Sequence, residues 1–245
     1  MKNIALVGDV HGNFDLLYFK VREYCPQADC ILTPGDLSPF RTPDDFKSMS
    51  IPKHHINTFK YEFREYYEGK KDIPIPTYFI GGNHEPYQLL KDLKSPDLIP
   101  NLTFLGWHGL WEQDNITLVG ISGNYSPKFI NYKRHQMPIG RYRHYTKDDL
   151  DFAYNTPKID ILMIHDWPKG MDKLSPGRRF FKDNLSPEME ALIEFKKPAL
   201  VIAGHLHFPV DVKFKDSRFI SLEILNKNTI LKKTIAFKDH ILHIF

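Results

Sequence analysis

The stretch NIALVGDVHG, residues 3–12, sets the reading of the fold. Residues 4–7 are a short apolar run that stops at Gly8, the pattern of a buried strand running into a turn. If the strand continues into that turn, period-two alternation lets Asp9 and His11 point the same way. Taken alone, the pair reads as a turn with a satisfied histidine. Working outward, Phe14, Leu17, Val21 and Tyr24 recur at helical spacing. Ile31-Leu32 then runs into Pro34-Gly35, and residues 78–80 run into Gly81-Gly82. Between these lie a polar, Pro-rich loop over 37–53 and a helix expected from Phe59, Phe63 and Tyr66-Tyr67, with Gly69 near its end.

The second half repeats the habit. Residues 116–121, 159–164 and 199–203 read as strands, and 187–195 as a short helix. Residues 122–146 are basic and aromatic without a helical period. From Val210 the chain reads as short strands with turns at 215–216, 226–228 and 238–239. Alternating strands and helices followed by a strand-rich tail predict a layered α/β fold. No internal repeat or linker interrupts the chain, so residues 1–245 are expected to form one domain.

Composition bounds the function without naming it. Hydrophobic residues make up 42% and charged residues 26% of the chain, as in ordinary globular proteins. A net charge of +3 permits an anionic substrate. Cys25 and Cys30 are too few for a disulfide framework and match no zinc motif, so they are expected as buried thiols. The apolar run at 4–7 is too short for a signal peptide, and no stretch reaches the roughly 18 apolar residues of a membrane span. A cytoplasmic protein without membrane contact is the expectation.

Five polar clusters follow apolar runs: Gly8-Asp9-Val10-His11-Gly12, Gly35-Asp36, Gly81-Gly82-Asn83-His84-Glu85, His165-Asp166-Trp167-Pro168 and Gly204-His205-Leu206-His207. Open α/β sheets bind ligands beyond the carboxyl ends of their strands, where these clusters fall. Each cluster alone has a bland reading as a turn, a helix cap or a core histidine. Together they supply carboxylate, amide and imidazole groups, donors suited to hard or borderline divalent metals, with no thiolate among them.

In order and context the set resembles the calcineurin-like metallophosphoesterases, whose motifs are matched from residue 8 to residue 207. The resemblance implies a β-sandwich of two mixed sheets flanked by helices. It also implies a pair of divalent metals, Mn, Fe or Zn. Asp9, His11, Asp36 and His207 would hold one metal; Asp36, Asn83, His165 and His205 would hold the other, with Asp36 bridging. His84 would face the phosphate as the catalytic acid. Such a pair lowers the pKa of a shared water and neutralises phosphate oxygens.

Further stretches are similar to RNA lariat debranching enzymes: Gly35-Asp36-Leu37 with Arg41 through Met49 and Pro52, Tyr66 through Lys71, Gly120 through Tyr125, and His165 through Pro168. That similarity implies phosphodiester hydrolysis on RNA, at 2′,5′-branched linkages, with Arg41, Tyr125, Tyr132 and Arg134 as substrate contacts; Trp167, next but one to a proposed ligand, is expected either to line the site as a further contact or to pack. Basic side chains between 132 and 145 bind phosphates, and aromatic ones stack on unpaired bases; a solvated loop with its aromatics tucked inward is the alternative. The chain departs from the debranching pattern in carrying Asp9 where that family has Cys, and it is expected to do without the C-terminal extension of the eukaryotic members. Two competing readings are a phosphoesterase for small nucleotides or phosphoproteins and a non-catalytic protein-binding scaffold. A scaffold is expected to have lost ligands or the acid, and this chain has kept them.

Overall fold

The computed structural model describes residues 3–49, 60–173, 185–231, 234–238 and 241–244. Residues 50–59, which include Phe59 and Pro52 of the expected helix and loop, lie outside the described residues, as does Asp239 of the expected turn at 238–239.

Strands β1 (Asn3–Leu6), β2 (Cys30–Thr33), β3 (Thr77–Phe79) and β5 (Leu102–Phe104) run parallel in one sheet. Antiparallel β4 (Asp97–Ile99) closes one edge, and β12 (Thr234–Lys238) with β13 (Ile241–Ile244) the other. The second sheet has order β10-β11-β9-β8-β7-β6. Its parallel centre is β7 (Ile116–Ile121), β8 (Ile161–Ile164), β9 (Leu200–Ala203) and β11 (Ser217–Ser221), flanked by antiparallel β6 (His108–Gln113) and β10 (Val210–Phe214).

Alternation along each strand divides the apolar side chains between two layers. Ile4, Leu6, Cys30 and Leu32 face Leu118, Ile161, Met163, Leu200 and Ile202 across the sandwich interior. On the outer face of the first sheet, Ala5, Val7, Ile31 and Phe79 receive Phe14, Leu17 and Val21 of α1 (Phe14–Tyr24) and Phe63 of α2 (Phe63–Tyr67). Leu162, Ile164 and Val201 do the same for α4 (Lys147–Asn155) and α5 (Pro187–Lys196) through Leu150, Ala153, Leu192 and Ile193. The strands read as continuous apolar runs because both faces of each sheet are covered. The chain is thus a two-sheet sandwich of mixed strands with helices outside, as expected.

Several elements were not legible beforehand. β4 and β5 have three residues each, too few for a period to register. The loop expected over 37–53 contains a 3-10 turn, Pro43–Ser48, with Thr42 and Asp45 forming a capping box. α4 is mostly polar, and its start is set by the Thr146–Asp149 capping box. The expected helix end at Gly69 is observed: its N–H donates to Tyr66 O at φ +71°. Cys25 and Cys30 are both buried, as expected. Among the described residues no helix is long and apolar enough to cross a membrane.

Candidate metal centre

The parallel centres of both sheets end on the same side. The loops after β1, β2 and β3 therefore meet those after β8 and β9, bringing together all eight positions expected to hold metal or act on phosphate. Asp9, His11 and His207 offer ligand atoms within 4.8 Å of one another, as do His11, Asp36 and His84, and Asp9, Asp36 and His165. Asp36 is common to two of the three groups. Its Oδ2 lies 3.8 Å from His11 Nε2 and its Oδ1 lies 3.6 Å from His165 Nε2, so the carboxylate stands between two ligand sets.

The donor set fits a cation. His11 Nε2 and His207 Nε2 approach to 3.2 Å, and His207 Nε2 is 2.9 Å from Asp9 Oδ2. His165 is fully buried, with Nδ1 2.8 Å from the Pro34 carbonyl, which only a ring N–H can satisfy. In the neutral ring Nε2 is then the lone-pair atom, aimed at Asn83 Oδ1 3.0 Å away; tying one nitrogen to a carbonyl is how ligand histidines are oriented. The His205 ring lies 4.9 Å from that of His165. Burial, followed by the neighbouring His165, pushes its pKa down to about 4, which keeps it a neutral donor.

Backbone strain marks the same residues. His11, Asp36, His205 and His207 all have φ between +47° and +71°. That region costs non-glycine residues about 1–3 kcal/mol each and persists where the surroundings enforce it, often at functional sites. Gly204 and Gly82 are required for space. A Cβ on Gly204 would lie 2.4 Å from Asp9 Oδ1, and one on Gly82 would lie 2.1 Å from Asp36 Oδ1. The φ of Gly82 is not positive, so close approach of the carboxylate is what requires a glycine there.

His84 differs from its neighbours. Its side chain is 29% exposed, against 1% for Asp36. Its Nδ1 sits 2.8 Å from Asp36 Oδ2, and its backbone N–H donates to Asp36 Oδ1 at 2.7 Å. Burial disfavours its protonation, but the Asp36 carboxylate overrides this and raises the pKa. Asp36 in turn is held well below the usual carboxylate range, because His84 and His165 outweigh its burial.

Two carboxylates without an assigned role prove to be supports. Glu85 is fully buried and accepts N–H bonds from Leu37, Ser38 and Gly82, clamping the Asp36 loop to the His84 loop. Burial, then the charge of Asp36, raises its pKa well above the usual range. Asp166 accepts from Tyr125 N at 2.6 Å and Trp167 N at 2.9 Å, and burial pushes it up to about 7. The only sequence signal for either was an acid immediately after a candidate site histidine.

The expected substrate contacts separate. Tyr132 is 41% exposed, edge-on to Phe129. Tyr125 is half-buried, packed against the outer core and held by its N–H to Asp166. Arg41 forms a bidentate pair with Asp45 and lies over Tyr67, 5.0 Å from the ring centroid. Two expectations are corrected. Trp167 is fully buried, and its indole N–H donates to Gly204 O at 2.9 Å, bracing the turn before His205; a Trp in an apolar core must place that donor on a protein acceptor. Arg134 points inward, bound to buried Asp149 and to the carbonyls of Tyr142 and His144, with Trp107 beneath its guanidinium. Arg134→Ala would strand Asp149, whose carboxyl is kept below its ordinary pKa, against its burial, by His108 and Arg134. Breaking such a pair costs about 3–5 kcal/mol. A large drop in urea midpoint is expected; an unchanged midpoint would mean the pair contributes nothing to stability.

Comparison with known proteins places this geometry. Residues 2–209 match the family described as Calcineurin-like phosphoesterase. The chain is 29% identical over 265 residues to a lariat debranching enzyme of Entamoeba histolytica, covering 98% of this chain and 73% of that protein. It is 30% identical to that of Schizosaccharomyces pombe, covering 83% of this chain and 48% of that protein. For that of Drosophila pseudoobscura pseudoobscura the figures are 28%, 83% and 42%. The chain thus spans about half the length of the last two. A solved protein of Thermus thermophilus superposes with a TM-score of 0.55 at 12% identity, covering 100% of this chain and 98% of that one, a likeness of fold alone. With the match spanning every cluster that builds the centre, the chain belongs to the calcineurin-like phosphoesterase family.

Proposed function

We propose that this chain is a dinuclear-metal phosphodiesterase acting on RNA, with 2′,5′-branched linkages as its preferred substrate. The observation that carries the reading is Asp36, seated between two histidine sets beside the partly exposed His84. Asp9, His11, Asp36 and His207 would hold one ion, and Asp36, Asn83, His165 and His205 the other. Bound there, two divalent ions supply a water of lowered pKa and neutralise charge building on the phosphate. The chain's own residues do the rest. His84, which Asp36 biases toward its protonated form, delivers a proton to the leaving oxygen. Glu85 keeps the two loops in register while it does so.

RNA as substrate rests on similarity to the debranching relatives. The turn at Pro43–Ser48 packs against α3 (Tyr87–Asp92), which begins three residues after His84, and against the 3-10 turn Ile139–Arg141. One observation favours a second reading, a phosphoesterase for small nucleotides or phosphoproteins: Arg41 and Arg134, both expected on RNA, are paired with acids.

An activity panel with Mn²⁺ separates the two. Branched RNA is expected to be cut at least about tenfold faster than linear RNA, a difference of about 1.4 kcal/mol, with both activities lost to a chelator. Equal rates on branched and linear RNA would remove the debranching assignment and leave a general phosphodiesterase. Hydrolysis confined to small esters would favour the second reading.

A further inference from the structure

We propose that Ser38 is a positioning residue for His84, its hydroxyl fixing the His84 backbone so that the imidazole meets the leaving oxygen. The inference rests on the phosphodiesterase reading, in which His84 serves the leaving group, but not on RNA or on branches as the substrate.

The residue type is at odds with its backbone. Ser38 has φ +58°, in the left-handed region that a Cβ disfavours and glycine enters freely. It is also fully buried, so its side chain serves neither solvent nor substrate directly. Glycine would adopt this backbone without strain, and what serine adds here is the hydroxyl. Ser38 Oγ–H donates to the His84 carbonyl at 2.6 Å. The bond spans 46 residues of sequence, so it is not the local turn bond that serine commonly makes.

The hydroxyl is held from a rigid base. Ser38 N–H donates to Glu85 Oε2 at 2.9 Å, and Ser38 O accepts the Phe40 N–H at 2.8 Å. One residue earlier, Leu37 N–H donates to Glu85 Oε1 at 3.0 Å, and Leu37 O accepts the Gly12 N–H at 3.0 Å. Every polar group of Ser38 is thus paired, and residues 36–38 are tied both to the loop after β1 and to the loop that carries His84.

Ser38 supplies what Asp36 does not. The Asp36 carboxylate takes the His84 N–H at 2.7 Å and faces its Nδ1 at 2.8 Å. The same two oxygens face His165 and His11, members of the two proposed ligand sets, so the carboxylate has competing partners. Ser38 holds His84 at its other end, the carbonyl, through a bond in which no proposed ligand side chain takes part. Peptide units are planar, so the N–H and the C=O of His84 report the two units that flank its Cα. Both are pinned by residues 36–38, and with them the direction in which the imidazole leaves the backbone. Misplacing a catalytic group by about 1 Å costs about 10²-fold in rate.

The test compares Ser38→Ala, Ser38→Gly, His84→Ala and the double variant Ser38→Gly with His84→Ala against the parent, all loaded with Mn²⁺. The substrates are aryl phosphodiesters whose phenols span a range of acidity, and metal content is measured throughout. Ser38→Gly is expected to lower kcat about 10–100-fold while KM stays within about twofold and metal content stays at that of the parent. Its deficit should change with the leaving group in the same direction as that of His84→Ala. Once His84 is alanine, Ser38→Gly should cost almost nothing further. Ser38→Ala keeps a Cβ in left-handed backbone and should melt about 2–4 °C below Ser38→Gly, yet share its kinetic defect. Losses that multiply in the double variant, a rate that Ser38→Gly recovers along with its stability, or metal lost in step with rate would overturn the assignment. If His84→Ala hydrolyses every diester as the parent does, the role proposed for His84 fails and the inference falls with it. An impaired His84→Ala beside a normal Ser38→Gly would remove Ser38 alone.

Discussion

Asp36→Asn is expected to lower phosphodiester hydrolysis by about 10³-fold or more and to cut the metal content of the purified protein. The substitution keeps the shape of the side chain and an oxygen to accept the His84 N–H, so the fold should survive. It removes a charge that faces both ligand sets, through His11 at one oxygen and His165 at the other. Weakening both ion sites at once forfeits several kcal/mol of charge stabilisation at the phosphate, and each 1.36 kcal/mol is about a factor of ten in rate. Elemental analysis and kcat/KM on a chromogenic diester read the two effects separately. Near-normal rates with a full metal complement would show that Asp36 does not bridge.

His84→Ala should behave differently. Its side chain is more open than that of Asp36, though less so than that of His207, and its pKa is raised by the carboxylate beside it, the disposition of a proton donor. Loss of a general acid typically costs about 10²–10⁴-fold, and metal content should stay near that of the parent. The deficit should shrink for a substrate whose leaving group needs no proton. Uniform deficits across leaving groups would instead assign His84 to stabilising charge on the phosphate. Loss of metal would make it a ligand, a role its 2.8 Å approach to Asp36 also allows.

These two residues also show how far the sequence carries. Asp9, Asp36, His165 and His205 were recognisable because each follows an apolar run that could only be a buried strand, and strand ends are where an α/β sheet presents chemistry. That logic is local, and it works because these strands are covered on both faces and so are almost wholly apolar. Glu85 and Asp166 were quoted in their motifs and given no role, since bonding to backbone N–H groups tens of residues away leaves no trace in spacing. Basic and aromatic residues were legible as a group but not individually. Arg134 and Arg143 stand in the same segment with the same chemistry, yet one closes on Asp149 and the other donates to its neighbour His144.

The sequence by itself determined the kind of protein: apolar runs of strand length that stop at glycine or a polar ligand, and a donor set of carboxylate, amide and imidazole. Only the tertiary structure decided that Gly82 and Gly204 are needed for room beside carboxylates, that Trp167 is a brace, and that Arg41 and Arg134 close on acids. The reason is physical. Strand period and residue chemistry are properties of the chain over a few residues, whereas what a long side chain touches depends on which distant loops the two sheets bring to the same edge.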